Sequence, residues 1–183
     1  MTTSALSFNY IMHNTTTIKR SFAPIENNDV IVLILGTMPG EKSLEYQQYY
    51  AHPQNRFWRV IAEITNQPLP EKYEDKTTML LTSGIALWDV VHSAEREGSM
   101  DSNIKNEKPN DLKKFIDTHP NLKVVVFNGR GAEKLYSKYF IRRPEIHYIS
   151  LPSTSPANAR FKITDLCEKW GMALCGNFVS LKK

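Results

Sequence analysis

The run DVIVLILG, Asp29 to Gly36, constrains the fold more than any other stretch of the chain. It is an unbroken series of β-branched and aliphatic residues closed by glycine, the pattern of a strand covered on both faces. Strands of that kind belong to parallel sheets flanked by helices, so this one is expected at the centre of such a sheet. KVVVFNG, from Lys123 to Gly129, repeats the pattern, and EIHYISLP supplies a third strand. Between them the spacing turns helical. In RFWRVIAEITN, Phe57, Ile61 and Ile64 share a face that Trp58 and Val60 widen.

A second helix is expected to reach Leu81 before a turn at Ser83-Gly84, followed by an extended piece from Ile85 to Val91. The polar stretch from His92 to Asp111 reads as a long loop opening a helix near Pro109. LKKFIDTHP, RGAEKLYSKYF and RFKITDLCEKWGMAL read as further helices. This alternation predicts an α/β fold, a three-layer α/β/α sandwich with a short, mostly parallel four-stranded sheet. The 183 residues suit one domain, expected over residues 22–183. Residues 1–21, polar and Thr-rich, are expected to form a disordered extension and do not resemble a secretory signal.

Composition narrows the function classes. With 41% hydrophobic and 23% charged residues, a folded core is expected. The formal charge of +4 is compatible with a polyanionic partner but is too small to demand one. Cys167 and Cys175 match no zinc site or disulfide framework, so a reducing, intracellular and cytoplasmic setting without a structural metal is expected. No run approaches the roughly 18 apolar residues of a membrane span, so no membrane partner is expected.

In an open parallel sheet, ligands sit outside the carboxyl ends of the strands. Three segments leave such ends: Gly36 to Trp58, Asn128-Gly129, and Leu151 to Arg160. The first begins GTMPG, where Gly36 and Gly40 allow a sharp turn and Pro39 stiffens it. Tyr49 and Tyr50 follow, each able to cover the sheet edge or to stack on a base. In AHPQNRFW, Asn55 suits a helix N-cap and equally suits holding a water, because its amide both donates and accepts. His52 reads first as a packing and hydrogen-bonding residue. LPSTSPANAR is a rigid, low-profile loop whose hydroxyl and backbone N–H groups can meet phosphates.

Taken together and in this order, GTMPG…YYAHPQNRFW, VVVFNGRGAEKLY and LPSTSPANAR resemble the uracil-DNA glycosylase superfamily, most closely its hypoxanthine-DNA (DNA-deoxyinosine) glycosylase branch. The resemblance runs from about Phe22 to Leu174. It implies a monofunctional DNA glycosylase that starts base excision repair on a deaminated base, most closely hypoxanthine, with no cofactor or metal and acting as a monomer. Mismatch-specific relatives hold the hydrolytic water with an asparagine where this chain has Met38. The hypoxanthine branch is thought to use the asparagine of HPxN, here Asn55, with His52 in support. The resemblance further implies that Gly36, Thr37, Met38, Pro39 and Gly40 meet the base edge and that Tyr50 stacks on the base. Asn128 would line the pocket or serve as a buried structural amide. Ser153, Thr154, Ser155, Ala157, Asn158 and Arg160 would contact DNA, with Asn158 or Arg160 filling the gap of the flipped base where Ala157 replaces a larger wedge. Removal of uracil, xanthine or a mismatched base, a non-catalytic DNA-binding module, and a small-nucleotide hydrolase are the competing readings. The last lacks a phosphate-binding lysine motif.

Overall fold

The computed structural model describes residues 18–181, with side chains as far as Leu174. Among the described residues, seven strands form two sheets. β2 (Val32–Gly36), β3 (Ile85–Asp89), β6 (Val124–Asn128) and β7 (His147–Leu151) make a four-stranded parallel sheet in the order β3-β2-β6-β7. β1 (Ile18–Arg20), β4 (Val91–Glu95) and β5 (Lys105–Pro109) make an antiparallel sheet in the order β1-β4-β5.

The parallel sheet is covered on both faces, which is why its inner strands carry no polar alternation. All five residues of β2 and all five of β6 are buried. Period 2 sends Val32 and Ile34 to one face, where they pack with α2 (Phe57–Ile64), α3 (Tyr73–Thr82) and α6 (Ile163–Leu181) through Ile61, Leu80 and Trp170. Leu33 and Leu35 point the opposite way, toward α4 (Leu112–Thr118) and α5 (Arg130–Tyr139) through Phe115 and Tyr136. The result is the expected three-layer sandwich with its central strand at β2.

Three local expectations need correction. The Gly36 to Trp58 segment contains a short helix, α1 (Glu41–Tyr46), which one turn of polar sequence did not announce. The polar stretch from His92 to Asp111 is largely a β4–β5 hairpin, because Val91, Ser93 and Ala94 give it a buried face. Pro109 ends β5 rather than opening α4, which is capped by the Asp111 side chain accepting from the Lys114 N–H. Most of the expected N-terminal extension lies outside the described residues; Ile18–Arg20 pair with Ser93–Glu95 as an edge strand.

Candidate active site

A cleft of about 910 Å³ opens at the carboxyl ends of the parallel strands. All three segments singled out in the sequence reach it, as does the β4–β5 connection through Ser99 to Ser102. The turn after β2 is fixed from below: Val90 N–H donates to the Gly36 carbonyl at 2.9 Å and Val91 N–H to that of Thr37 at 3.1 Å. Thr37 is pinned sideways, its hydroxyl donating to Asp101 at 2.7 Å. The Pro39 carbonyl accepts from the buried Arg96 guanidinium. Met38 lines the cleft but packs its side chain with Val91 and Ala94, so it anchors the turn.

The two tyrosines divide their roles. Tyr49 is buried, with its hydroxyl donating to the carbonyls of Phe22 and Ala23 and its own carbonyl accepting from the Trp58 indole. It covers the sheet edge. Tyr50 lines the cleft in a left-handed backbone conformation, φ 55°, which a β-carbon disfavours. That strain is offset by two contacts that fix the ring. One face stacks on Phe57 with centroids 3.9 Å apart, and the hydroxyl accepts from Asn128 Nδ2 at 2.9 Å.

Asn128 lines the cleft, yet its amide is committed to the protein. Nδ2 also donates to the Thr154 hydroxyl at 3.0 Å, and Oδ1 accepts the Thr154 N–H at 2.9 Å. The structure therefore uses it as the structural amide that joins Tyr50 to the last loop. Thr154 is wholly buried and, contrary to expectation, presents nothing to a ligand. Arg160 is exposed outside the cleft lining, with its guanidinium over the Phe161 ring.

Asn55 stands just before α2 and lines the cleft. Its Oδ1 accepts the Phe57 N–H at 3.0 Å, so it caps the helix. One lone pair of Oδ1 and both Nδ2 hydrogens have no hydrogen-bond partner among the described residues, so capping and a second role are compatible. His52 is exposed on the rim, and its Nδ1 accepts the Gln54 N–H. Ser153, Ser155, Ala157 and Asn158 line the opposite wall. Their loop is held by turns of its own, with Ser153 Oγ accepting from Ser155 N–H and Asn158 Nδ2 donating to the Ser153 carbonyl at 2.9 Å.

Two residues that sequence reasoning passed over organise this site. Arg56 donates to the carbonyls of Thr154, Ser155, Asn158 and Phe161, clasping the last loop against the start of α2. No pattern announces an arginine that binds only carbonyls. Asp89 lies in the cleft at the end of β3, and burial pushes its carboxyl up to about 7. Its signal was legible: a lone acid closing the apolar run GIALWD at the same sheet edge.

Comparison with known proteins agrees with this architecture. Residues 24–170 match the family model described as the Uracil DNA glycosylase superfamily. A Methanosarcina acetivorans protein named hypoxanthine DNA glycosylase is 38% identical over 145 residues, covering 79% of this chain and 90% of the relative. One of the same name from Methanosarcina barkeri is 40% identical over 115 residues, covering 62% of this chain and 73% of the relative. The solution NMR structure of a candidate uracil DNA glycosylase from Methanosarcina acetivorans superposes with a TM-score of 0.71 at 34% identity, spanning 85% of this chain and 98% of that one.

Proposed function

This chain belongs to the uracil DNA glycosylase superfamily, and on that premise we propose that it extrudes a deaminated base from DNA, hypoxanthine before others, and hydrolyses the bond joining it to the sugar. It is a DNA glycosylase, and DNA is its substrate. The observation that carries the choice of base is the 38% identity, over 90% of the relative's length, to a protein named for hypoxanthine.

A base inside a duplex is out of reach of a cleft, so it must leave the stack, at least cost from a weak pair. Hypoxanthine formed from adenine sits opposite thymine in such a pair. Once extruded, the base stacks on the open face of Tyr50, and the Gly36–Gly40 backbone meets its edge. Ser153, Ser155 and Asn158 hold the neighbouring backbone. Cleavage then leaves positive charge on the sugar and negative charge on the departing base, and fixed dipoles are the useful groups. Asn55 holds the water: its free lone pair accepts one water hydrogen and aims the oxygen at the anomeric carbon. The C–O bond forms, the C–N bond breaks, and the base departs with the electron pair and takes up the proton. The enzyme acts as a monomer inside the cell.

A panel of duplexes, each with one deoxyinosine, deoxyuridine, deoxyxanthosine or mismatch, tests the choice of base. Release is expected to be fastest from deoxyinosine. Faster release of uracil would reassign the substrate within the same class, and lesion binding without any release would favour a non-catalytic module.

A further inference from the structure

Arg96, the first residue after β4, is only 2% exposed. Its Nη2 donates to the Pro39 carbonyl, while Nε and Nη1 have no partner among the described residues. The acids whose charges reach it do not bond it: Asp101 accepts from Thr37, Asp89 from Ser21 and Glu41 from Lys19. Burial pulls its acid constant down and these three acids push it up, but a guanidinium keeps its proton throughout. A buried cation with two unpaired nitrogens costs stability, and a group kept at such a cost calls for a function.

The turn shows where that charge acts. The carbonyls of Gly36, Thr37 and Pro39 are all held, by the Val90 and Val91 N–H groups and by Arg96. The N–H groups across the same peptide bonds, those of Thr37, Met38 and Gly40, have no acceptor among the described residues. No described peptide bond is cis, and a trans peptide directs its N–H opposite to its carbonyl. Each N–H therefore points away from the support of its carbonyl, and all three residues line the cleft. Of the three supports only Arg96 is charged. A cation bound to the Pro39 carbonyl polarises the Pro39–Gly40 peptide and strengthens the Gly40 N–H as a donor.

We infer that Arg96 is a positioning residue whose charge, relayed through the Pro39–Gly40 peptide, stabilises the negative charge on the departing base. This rests on the glycosylase reading above. As the oxygen of water bonds the anomeric carbon and the C–N bond breaks, the bonding electron pair goes to the base. The base carries negative charge until it takes up the proton that water sheds. Arg96 does not touch the base; it acts at one peptide's remove, where burial weakens screening by solvent. Binding of the uncleaved duplex creates no such charge, so the effect is confined to bond breaking.

The test compares single-turnover release of hypoxanthine and 8-azahypoxanthine from duplexes by wild type, Arg96→Gln and Arg96→Lys, alongside duplex binding and thermal melting. A nitrogen in place of the C–H at position 8 makes the base a better leaving group without adding bulk. Gln can still donate to Pro39 but carries no charge, whereas Lys keeps the charge. Arg96→Gln is expected to bind the deoxyinosine duplex as wild type does and to release hypoxanthine about 10- to 100-fold more slowly, with a markedly smaller loss on 8-azahypoxanthine. Arg96→Lys should recover most of the rate and the wild-type ratio between the two bases. That ratio is read within one preparation, so the amount of folded protein cancels. A merely structural role slows both bases equally. Equal losses in Arg96→Gln, or an Arg96→Lys no better than Arg96→Gln, overturn the inference and leave the proposed function standing. Wild type that releases neither base overturns the proposed function itself, and the inference with it.

Discussion

Asn55→Ala is expected to slow release of hypoxanthine from deoxyinosine DNA by about 10²- to 10³-fold while leaving binding of the same duplex largely intact, the loss typical of removing one positioned polar group from a hydrolytic site. Position 38 is Met, so no second amide in the first turn compensates. Asn128, the other amide in the cleft, is spent on Tyr50 and Thr154. Asn55 also caps α2, and losing a cap costs about 1 kcal/mol. Asn55→Ser separates the two roles: its hydroxyl still caps, but it lacks the amide's reach. Both variants should lose release, and only Asn55→Ala should lose measurable stability. Near wild-type release by Asn55→Ala would remove this residue from the chemistry.

Arg56→Ala should have the largest structural effect. The guanidinium reaches four carbonyls of the 154–161 segment, including Ser155 at 2.6 Å and Asn158 at 3.0 Å, and the Arg56 N–H adds a bond to Thr154. Bonds from a charged donor contribute about 1.5–3 kcal/mol each and are not additive, so a loss of about 3–4 kcal/mol is expected. At this chain length that lowers Tm by roughly 10 °C. DNA binding should weaken with it, because Ser153, Ser155 and Asn158 lose their fixed geometry. Arg56→Lys should not rescue, since an ammonium is a point charge and cannot span carbonyls as the planar fork does. An unchanged Tm in Arg56→Ala would show that the loop holds itself.

The fold was legible because the parallel sheet needs apolar runs, and DVIVLILG and KVVVFNG have no other use. The β4–β5 hairpin was not legible. Its exposed residues, such as Lys105, Asn106 and Lys108, look like loop, and its buried face depends on contacts with Met38 and Ile104 that no local pattern contains. The cleft followed from topology, since strand ends at one edge must converge. What could not be read was how polar groups were shared. Asn128, Thr154 and Arg56 spend their hydrogen bonds on one another's loops, and residue type alone does not say whether an amide or guanidinium faces a ligand or a carbonyl. Asp89 differs, because a lone carboxylate closing a buried strand already asks for a partner.

The central claim is that the enzyme severs the base and leaves the strand intact. The most direct measurement incubates wild-type protein with a duplex containing one deoxyinosine opposite thymine, then quantifies free hypoxanthine and the abasic strand by mass. The expected result is one hypoxanthine per lesion and an abasic site that breaks only on later treatment with alkali. Recovery of the duplex unchanged under conditions where the protein binds it would contradict the account.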